Sequence, residues 1–172
     1  MTTSSKNYAG ALAEIADDNI ISYDGIKNDL NTVSEIIKNS PDLKSVLENI
    51  TISTDIKNSI IDEVFKNQIN EKIINFLKIL TNKNKFGEFA EIKSDFETIY
   101  NDVNNIKLVD VTSAVELTQE QKNRVTEKLQ AKLNKQIKAN WLLDEGIIGG
   151  LIIKIDDNVI NSSLKNRLEK LI

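Results

Sequence analysis

Two pairs of adjacent acids near the C-terminal end, with one pair of glycines between them, are the groups of this chain whose type and spacing could do chemistry. Asp144-Glu145 and Asp156-Asp157 offer carboxylate oxygens, which are the ligands of hard cations. Gly149-Gly150 could present backbone N–H groups to a phosphate. Adjacent acids at strand ends are more commonly solvated turn residues, and no lysine follows the glycines as it does in a phosphate-binding loop. We therefore predict a tight turn here, with no metal site, no cofactor site and no catalytic residue.

The chain of 172 residues contains no Cys and no His. Their absence excludes thiol nucleophiles, disulfides, thiolate or imidazole metal sites and every Ser-His-Asp or Cys-His arrangement. Carboxylate chemistry and a lysine Schiff base remain open, but no spacing indicates either of them. With 40% hydrophobic and 28% charged residues the chain has an ordinary globular composition, so binding is the predicted role.

Charge and hydropathy narrow the class of partner. The formal charge of −4 and the pI of about 5.0 argue against a general affinity for nucleic acid. No apolar run reaches the roughly 20 residues of a spanning helix, and the polar start at residues 1–6 lacks the apolar region of a secretory signal. We expect a soluble chain in the cytoplasm.

Any binding surface must be positioned by the elements that the chain forms, and up to about Asn104 the apolar residues recur every three or four positions. Six helices are predicted: near 5–17, 22–38, from Pro41 through Leu47, from Ser53 or Thr54 through Phe65, from Asn70 through Leu80, and about 86–103. Ile56 is expected to face inward in the fourth. Six helices in about a hundred residues indicate a bundle.

The pattern changes near Asn104-Asn105. Residues 106–112 are β-branched and roughly alternating, which predicts a strand, and Thr118 opens a helix that runs through Leu133. Further strands are predicted at 136–143, 151–155 and 159–160, followed by a helix capped by Ser162 or Ser163. The predicted fold class is α+β, with a six-helix bundle over 1–105 and a small mixed α/β domain over 106–172.

Charge separates along the same boundary. Residues 1–105 hold 11 Lys/Arg against 17 Asp/Glu, a balance of −6, and residues 106–172 hold 11 against 9, a balance of +2. Two halves with different balances suggest different partners.

Several short segments, in their order and spacing, resemble one family. They are Tyr8-Ala9-Gly10-Ala11-Leu12, Leu80 with the basic turn ending at Lys85, Ser113–Leu117 with Gln121, Asp144–Gly150 and Val159–Leu164. Together they are similar to the delta subunit of bacterial F-type ATP synthases, called the oligomycin-sensitivity-conferring protein in mitochondria. The resemblance covers nearly the whole chain.

The resemblance implies a non-catalytic stator subunit that resists rotary torque. In that family the N-terminal bundle sits on the catalytic head and receives the N-terminal helix of an alpha subunit between its first and fifth helices. The C-terminal half meets the b-subunit stalk. The implied location is peripheral, on the cytoplasmic face of the bacterial inner membrane, with no cofactor and no small-molecule substrate.

Candidate partner-binding residues follow from this likeness. A helix rich in alanine beside an aromatic residue leaves a shallow apolar channel that a partner helix can fill. The candidates for the alpha-subunit groove are Tyr8, Ala9, Leu12, Ala16, Ile73 and Leu77, for which ordinary bundle core is the competing interpretation. On the stalk side they are Gly149, Gly150, Leu164 and Leu168. Trp141 is the only tryptophan and is predicted to lie in core or at an interface.

Two other classes of function remain open from the sequence. The first is a free-standing helical adaptor that binds an unrelated amphipathic helix. The second is an enzyme that uses carboxylates or lysine. The C-terminal pattern favours the stator, because an unrelated bundle has no need of it.

Overall fold

The computed structural model describes residues 3–147, 149–155 and 158–161. Within these ranges the helices are α1 (Thr3–Asp17), α2 (Tyr23–Asn39), α3 (Pro41–Glu48), α4 (Thr54–Phe65), α5 (Glu71–Asn82), α6 (Phe89–Val103) and α7 (Gln119–Leu133). The strands are β1 (Ile106–Ser113), β2 (Gln136–Leu143), β3 (Leu151–Ile155) and β4 (Asn158–Asn161). The α+β class is confirmed, and the predicted C-terminal helix lies outside the described residues.

The chain divides into two compact units, residues 1–100 and 101–172, which we call the N-terminal unit and the C-terminal unit. Helices α1 to α5 and most of α6 belong to the first. The sheet and α7 belong to the second. Each unit is described by itself.

Capping differs among the helices of the N-terminal unit. Ser22 caps α2 by accepting a hydrogen bond from the Gly25 N–H at 3.0 Å, and Asn70 caps α5 in the same way. Ser53 occupies the capping position of α4 as predicted, but its side chain makes no capping hydrogen bond. Pro41 is the first residue of α3, where its missing N–H costs nothing. Local residue type therefore fixes where these helices begin, although not every cap is formed.

The helix predicted over 86–103 is divided. Residues Phe86–Glu88 form a 3₁₀ turn, and α6 starts at Phe89. A 3₁₀ turn places residues i and i+3 on the same side, and the rings of Phe86 and Phe89 stack with centroids 6.0 Å apart and planes 12° from parallel. Both rings are buried. Packing of this ring pair thus accompanies the tighter turn.

The inward face of α4 differs from the prediction at one position. Ile56 is 55% exposed, whereas Lys57 is only 1% exposed. Lys57 shares a stripe with Ile61 and Phe65 at four-residue steps, while Ile56 lies about 100° away around the helix. Lys57 therefore takes the buried position on this stripe, and Ile56 falls outside it. The prediction that Ile56 faces inward is wrong.

The C-terminal unit contains a four-stranded sheet in the order β2-β1-β3-β4. β1 is parallel to β2 through α7 and antiparallel to β3, which is antiparallel to β4. Val109 and Val111 of β1 pack with Leu129 of α7 and Ile155 of β3 to form a small core. Thr118 and Gln121 form a reciprocal capping box that starts α7. The four predicted strands and the helix predicted from Thr118 through Leu133 are present in the described residues.

Candidate functional site

Five of the six candidates for the alpha-subunit groove are buried within the N-terminal unit. They are Ala9, Leu12, Ala16, Ile73 and Leu77. Only Tyr8 keeps part of its surface exposed. Its ring makes an edge-to-face contact with Phe76 of α5, at a centroid distance of 6.2 Å. The structure thus brings α1 and α5 together at Tyr8, and whether the six residues contact a partner stays a prediction.

Polar contacts hold α1 against the middle of α6 and brace the turn before it. The Ser5 hydroxyl donates to Asp95 Oδ2 at 2.6 Å, and both side chains are buried. Nearby, the Lys85 ammonium donates to Glu88, and this hydrogen bond holds the pKa of the Glu88 carboxyl below its ordinary value. The same bond raises the pKa of Lys85. These contacts fix the segment that precedes α6.

A second set of polar contacts joins α2 to α6. The Tyr100 hydroxyl donates to Asp24 Oδ1 at 2.7 Å, and that bond raises the pKa of Tyr100. Lys27 lies 3.8 Å from the centroid of the same ring. Tyr23 stacks on Phe96 at 6.2 Å. Side chains far apart in sequence therefore hold α2 and α6 together.

An open apolar cavity of about 380 Å³, which the sequence reasoning missed, lies between α2, α3, the 3₁₀ turn and the start of α6. We call it the phenylalanine trough. Phe86 and Phe89 contribute its rings, and Lys38 and Lys44 lie at it with exposed side chains. It is lined by Ser34, Ile37, Lys38, Pro41, Lys44, Glu48, Phe86, Gly87, Phe89 and Ala90. The four-residue spacing that predicts helices does not combine residues from four elements, so no sequence signal pointed to it.

The stalk-side glycines are both at positive φ, 99° for Gly149 and 92° for Gly150. This region of the backbone map disfavours side chains, so glycine is needed immediately before β3. The two glycines line a cavity of about 390 Å³ beside the loop that joins β1 to α7. The other two stalk-side candidates, Leu164 and Leu168, lie outside the described residues.

The neighbouring apolar surface lies where β1 and β2 end. Val115, Leu142 and Leu143 are 65%, 46% and 58% exposed, and they line a cavity of about 290 Å³ together with Leu117 and Trp141. We call these five residues the strand-end patch. Lys122 sits 5.9 Å from the Trp141 ring centroid. The signal for the patch was the run of three apolar residues at 141–143, which breaks the alternation of β2.

The acid pairs do not form a metal site in the part of the chain that the structure describes. No group of three or more acidic side chains that could hold an ion occurs there. Asp144 Oδ1 instead accepts the Gly146 N–H at 2.9 Å, which is a local turn contact. Asp156-Asp157 lies outside the described residues. Among the described helices, none is long and apolar enough to cross a bilayer.

Comparison with known proteins gives a consistent result. The sequence profile described as "ATP synthase delta (OSCP) subunit" matches residues 5–172. The chain is 33% identical over 168 residues to the ATP synthase subunit delta of Chlorobaculum tepidum, covering 97% of this chain and 92% of that protein. It is 36% identical over 164 residues to the subunit delta of Clostridium botulinum strain Loch Maree, covering 95% and 91%.

A solved structure has the same fold. A chain of the Toxoplasma gondii mitochondrial ATP synthase hexamer, determined by cryo-EM, superposes with a TM-score of 0.71 over 99% of this chain and 96% of its own length. The sequence identity is 17%, so this likeness concerns the fold.

Proposed function

This chain belongs to the ATP synthase delta (OSCP) family, and from that membership we propose that it is the stator subunit joining the catalytic head to the peripheral stalk. As a member of the family it is a non-catalytic, peripheral component of the F-type ATP synthase. The observation that carries the proposal is the family match over residues 5–172, which includes both compact units. One unit for each partner is the arrangement a linker needs.

On the head side we propose that a six-helix bundle formed by α1–α6 receives the N-terminal helix of an alpha subunit at α1 and α5. Tyr8 contacts that helix directly, because its ring is part-exposed and its position is fixed by Phe76. Ala9, Leu12, Ala16, Ile73 and Leu77 shape the groove by packing the two helices beneath it. This is the helix-in-groove mode of recognition.

On the stalk side we propose that the b subunit contacts the C-terminal unit at Gly149, Gly150 and the strand-end patch. Three apolar side chains exposed by about half or more at one end of a sheet favour a protein contact. Leu164 and Leu168 belong to the same proposed interface. The proposed location is the cytoplasmic face of the bacterial inner membrane.

Two linked interfaces suit a part that must resist torque. When one contact forms, the second becomes intramolecular, and the effective concentration set by the linkage raises the overall affinity. Neither interface then needs to be very tight alone.

Paired variants of the full chain test the assignment of roles. We expect Tyr8→Ala to weaken binding of a peptide of the alpha N-terminus and to leave binding of the b subunit unchanged. The double variant Leu142→Ser with Leu143→Ser should do the reverse, and titration calorimetry measures both. Each variant is thereby the control for the other. If both variants weakened the same partner, or neither weakened any, the assignment would be refuted.

A further inference from the structure

We propose that the phenylalanine trough binds an acidic amphipathic helix of the catalytic head, at a site separate from α1 and α5. The inference rests on the proposed function, since it assumes that the N-terminal unit faces the head. No residue of α1 or α5 lines the trough, so it is a distinct surface. The shape, the charge and the rigidity of the trough each favour such a partner.

The shape suits apolar side chains of a helix. Phe86 and Phe89 line the trough with only 3% and 6% of their surface exposed, and the small residues Ser34, Gly87 and Ala90 beside them leave the space open. A Cβ placed on Gly87 would meet nothing closer than Glu48 Oε1 at 3.8 Å. An apolar groove with small side chains at its edges is the form that accepts the anchor residues of an amphipathic helix.

The charge at the trough is opposite in sign to the net charge of residues 1–105. Residues 1–105 carry a formal balance of −6, yet two exposed lysines, Lys38 and Lys44, lie at the trough beside one acid, Glu48. Lys44 approaches Glu48 only to 3.9 Å, and an exposed pair at that distance holds the lysine weakly. A helix with carboxylates next to its apolar side chains complements this pattern. A second copy does not, because two units of −6 repel each other.

The trough is also preformed. The Lys85–Glu88 hydrogen bond spans the 3₁₀ turn, and stacking of Phe86 on Phe89 fixes both rings. Little side-chain freedom remains to be lost when a partner binds, and this lowers the entropic cost of association.

A fluorescent label tests the position of the contact. Because the chain has no native cysteine, Ala90→Cys in the trough can carry a solvatochromic dye, and Ala131→Cys on the exposed face of α7 is the matched control. The probe is the purified catalytic head stripped of this subunit. We expect the head to shift the emission of the dye at Ala90 to the blue, or the chain labelled at Ala90 to lose co-elution with the head. The chain labelled at Ala131 should show neither effect. Co-elution with unchanged emission at Ala90 would overturn the inference while leaving the proposed function intact.

Charge reversal tests the chemistry without touching the apolar residues. Lys38→Glu with Lys44→Glu should weaken binding of the same head by about tenfold at low salt, and the difference should shrink as salt is raised. Lys66→Glu with Lys83→Glu makes the same charge change at exposed positions elsewhere in the unit. Equal weakening by both pairs would overturn the trough as a specific site.

Two further outcomes count against the inference in distinguishable ways. If the unlabelled parent chain fails to co-elute with the head, the proposed function fails and the inference fails with it. If the Ala90 label shifts with protein concentration in the absence of the head, the occupant is a second copy of this chain.

Discussion

The N-terminal unit buries large aromatic side chains contributed by several helices, whereas the C-terminal unit buries a few aliphatic side chains between one helix and one sheet. Phe65 and Phe96 have no exposed surface in the first unit. In the second, the buried core consists of Val109, Val111, Leu129 and Ile155, and the large Trp141 is only partly buried against it. The first unit can therefore hold a preformed groove, while the second leaves apolar surface that a partner can cover.

The polar side-chain contacts of the two units also differ in the elements that they join. In the N-terminal unit, Ser5 and Asp95 join helices that are 90 residues apart in sequence. In the C-terminal unit, Asn140 donates to Asp110 at 3.0 Å between the neighbouring strands β2 and β1, whose ladder already fixes them. Side-chain hydrogen bonds thus join distant helices in the first unit, whereas backbone hydrogen bonds already join the neighbouring strands in the second.

Removal of a buried aromatic ring should produce the largest difference in stability between the two units. Phe96→Ala deletes a fully buried ring that stacks on Tyr23, and we expect it to destabilise the N-terminal unit by about 3–5 kcal/mol. Urea unfolding followed by far-UV circular dichroism measures this loss, since most helices lie in that unit. Trp141, the only tryptophan, reports separately on the C-terminal unit.

The control for this comparison is Leu129→Ala, which deletes a side chain from the core of the C-terminal unit. Its main effect should fall on the Trp141 fluorescence transition. Equal shifts of both signals in both variants would show that the two units unfold as one cooperative body.

Loss of the buried hydroxyl should have the next largest effect. Ser5→Ala removes the donor to Asp95 Oδ2 and leaves a buried carboxyl short of one partner, which costs about 2 kcal/mol. Thermal unfolding by circular dichroism measures the change. Ser5→Thr keeps the hydroxyl and is the matched control. A loss in Ser5→Thr as large as that in Ser5→Ala would attribute the effect to packing instead of the hydrogen bond.

Loss of a helix cap should lower the free energy of unfolding by about 1 kcal/mol in the C-terminal unit and hardly at all at α4 of the N-terminal unit. Thr118→Ala breaks the reciprocal capping box of α7, and we expect it to lower the stability reported by Trp141 fluorescence by about that amount. Ser53→Ala at α4 should have almost no effect on the circular dichroism transition, because Ser53 forms no capping hydrogen bond. A loss at Ser53 equal to that at Thr118 would contradict this reading of the caps.

Local rules explain what the sequence could predict. Apolar periodicity, Pro41 and the capping residues place the helices to within a few residues, and the alternation at 106–112 and 136–143 predicts two strands that the structure contains. These signals depend on neighbours in the chain. They therefore survive without knowledge of the tertiary structure.

Burial and surface shape depend on contacts between elements, and there the prediction was weaker. The exchange of Ile56 for Lys57 turns on which face of α4 meets the rest of the unit. The phenylalanine trough combines the end of α2, one side of α3, the start of α6 and a 3₁₀ turn that was predicted as helix. Tyr8 was predicted as a partner contact together with five residues that the structure buries. Spacing identifies an apolar stripe but not whether another element already covers it.

The smallest expected effect is a pH dependence confined to the N-terminal unit. The Lys85 hydrogen bond lowers the pKa of Glu88 below its ordinary 4.5, so its stabilising contribution is complete above that pH and is lost as pH falls through the lowered pKa. The pKa of Lys85 is raised above 10.5, so the contribution is lost again at higher pH. We expect the parent chain to exceed Glu88→Gln in stability only between these limits. Glu48→Gln changes the weaker 3.9 Å pair with Lys44 and should match the parent chain at every pH. Thermal midpoints recorded across pH measure both variants. The same pH dependence in Glu88→Gln and Glu48→Gln would contradict the prediction.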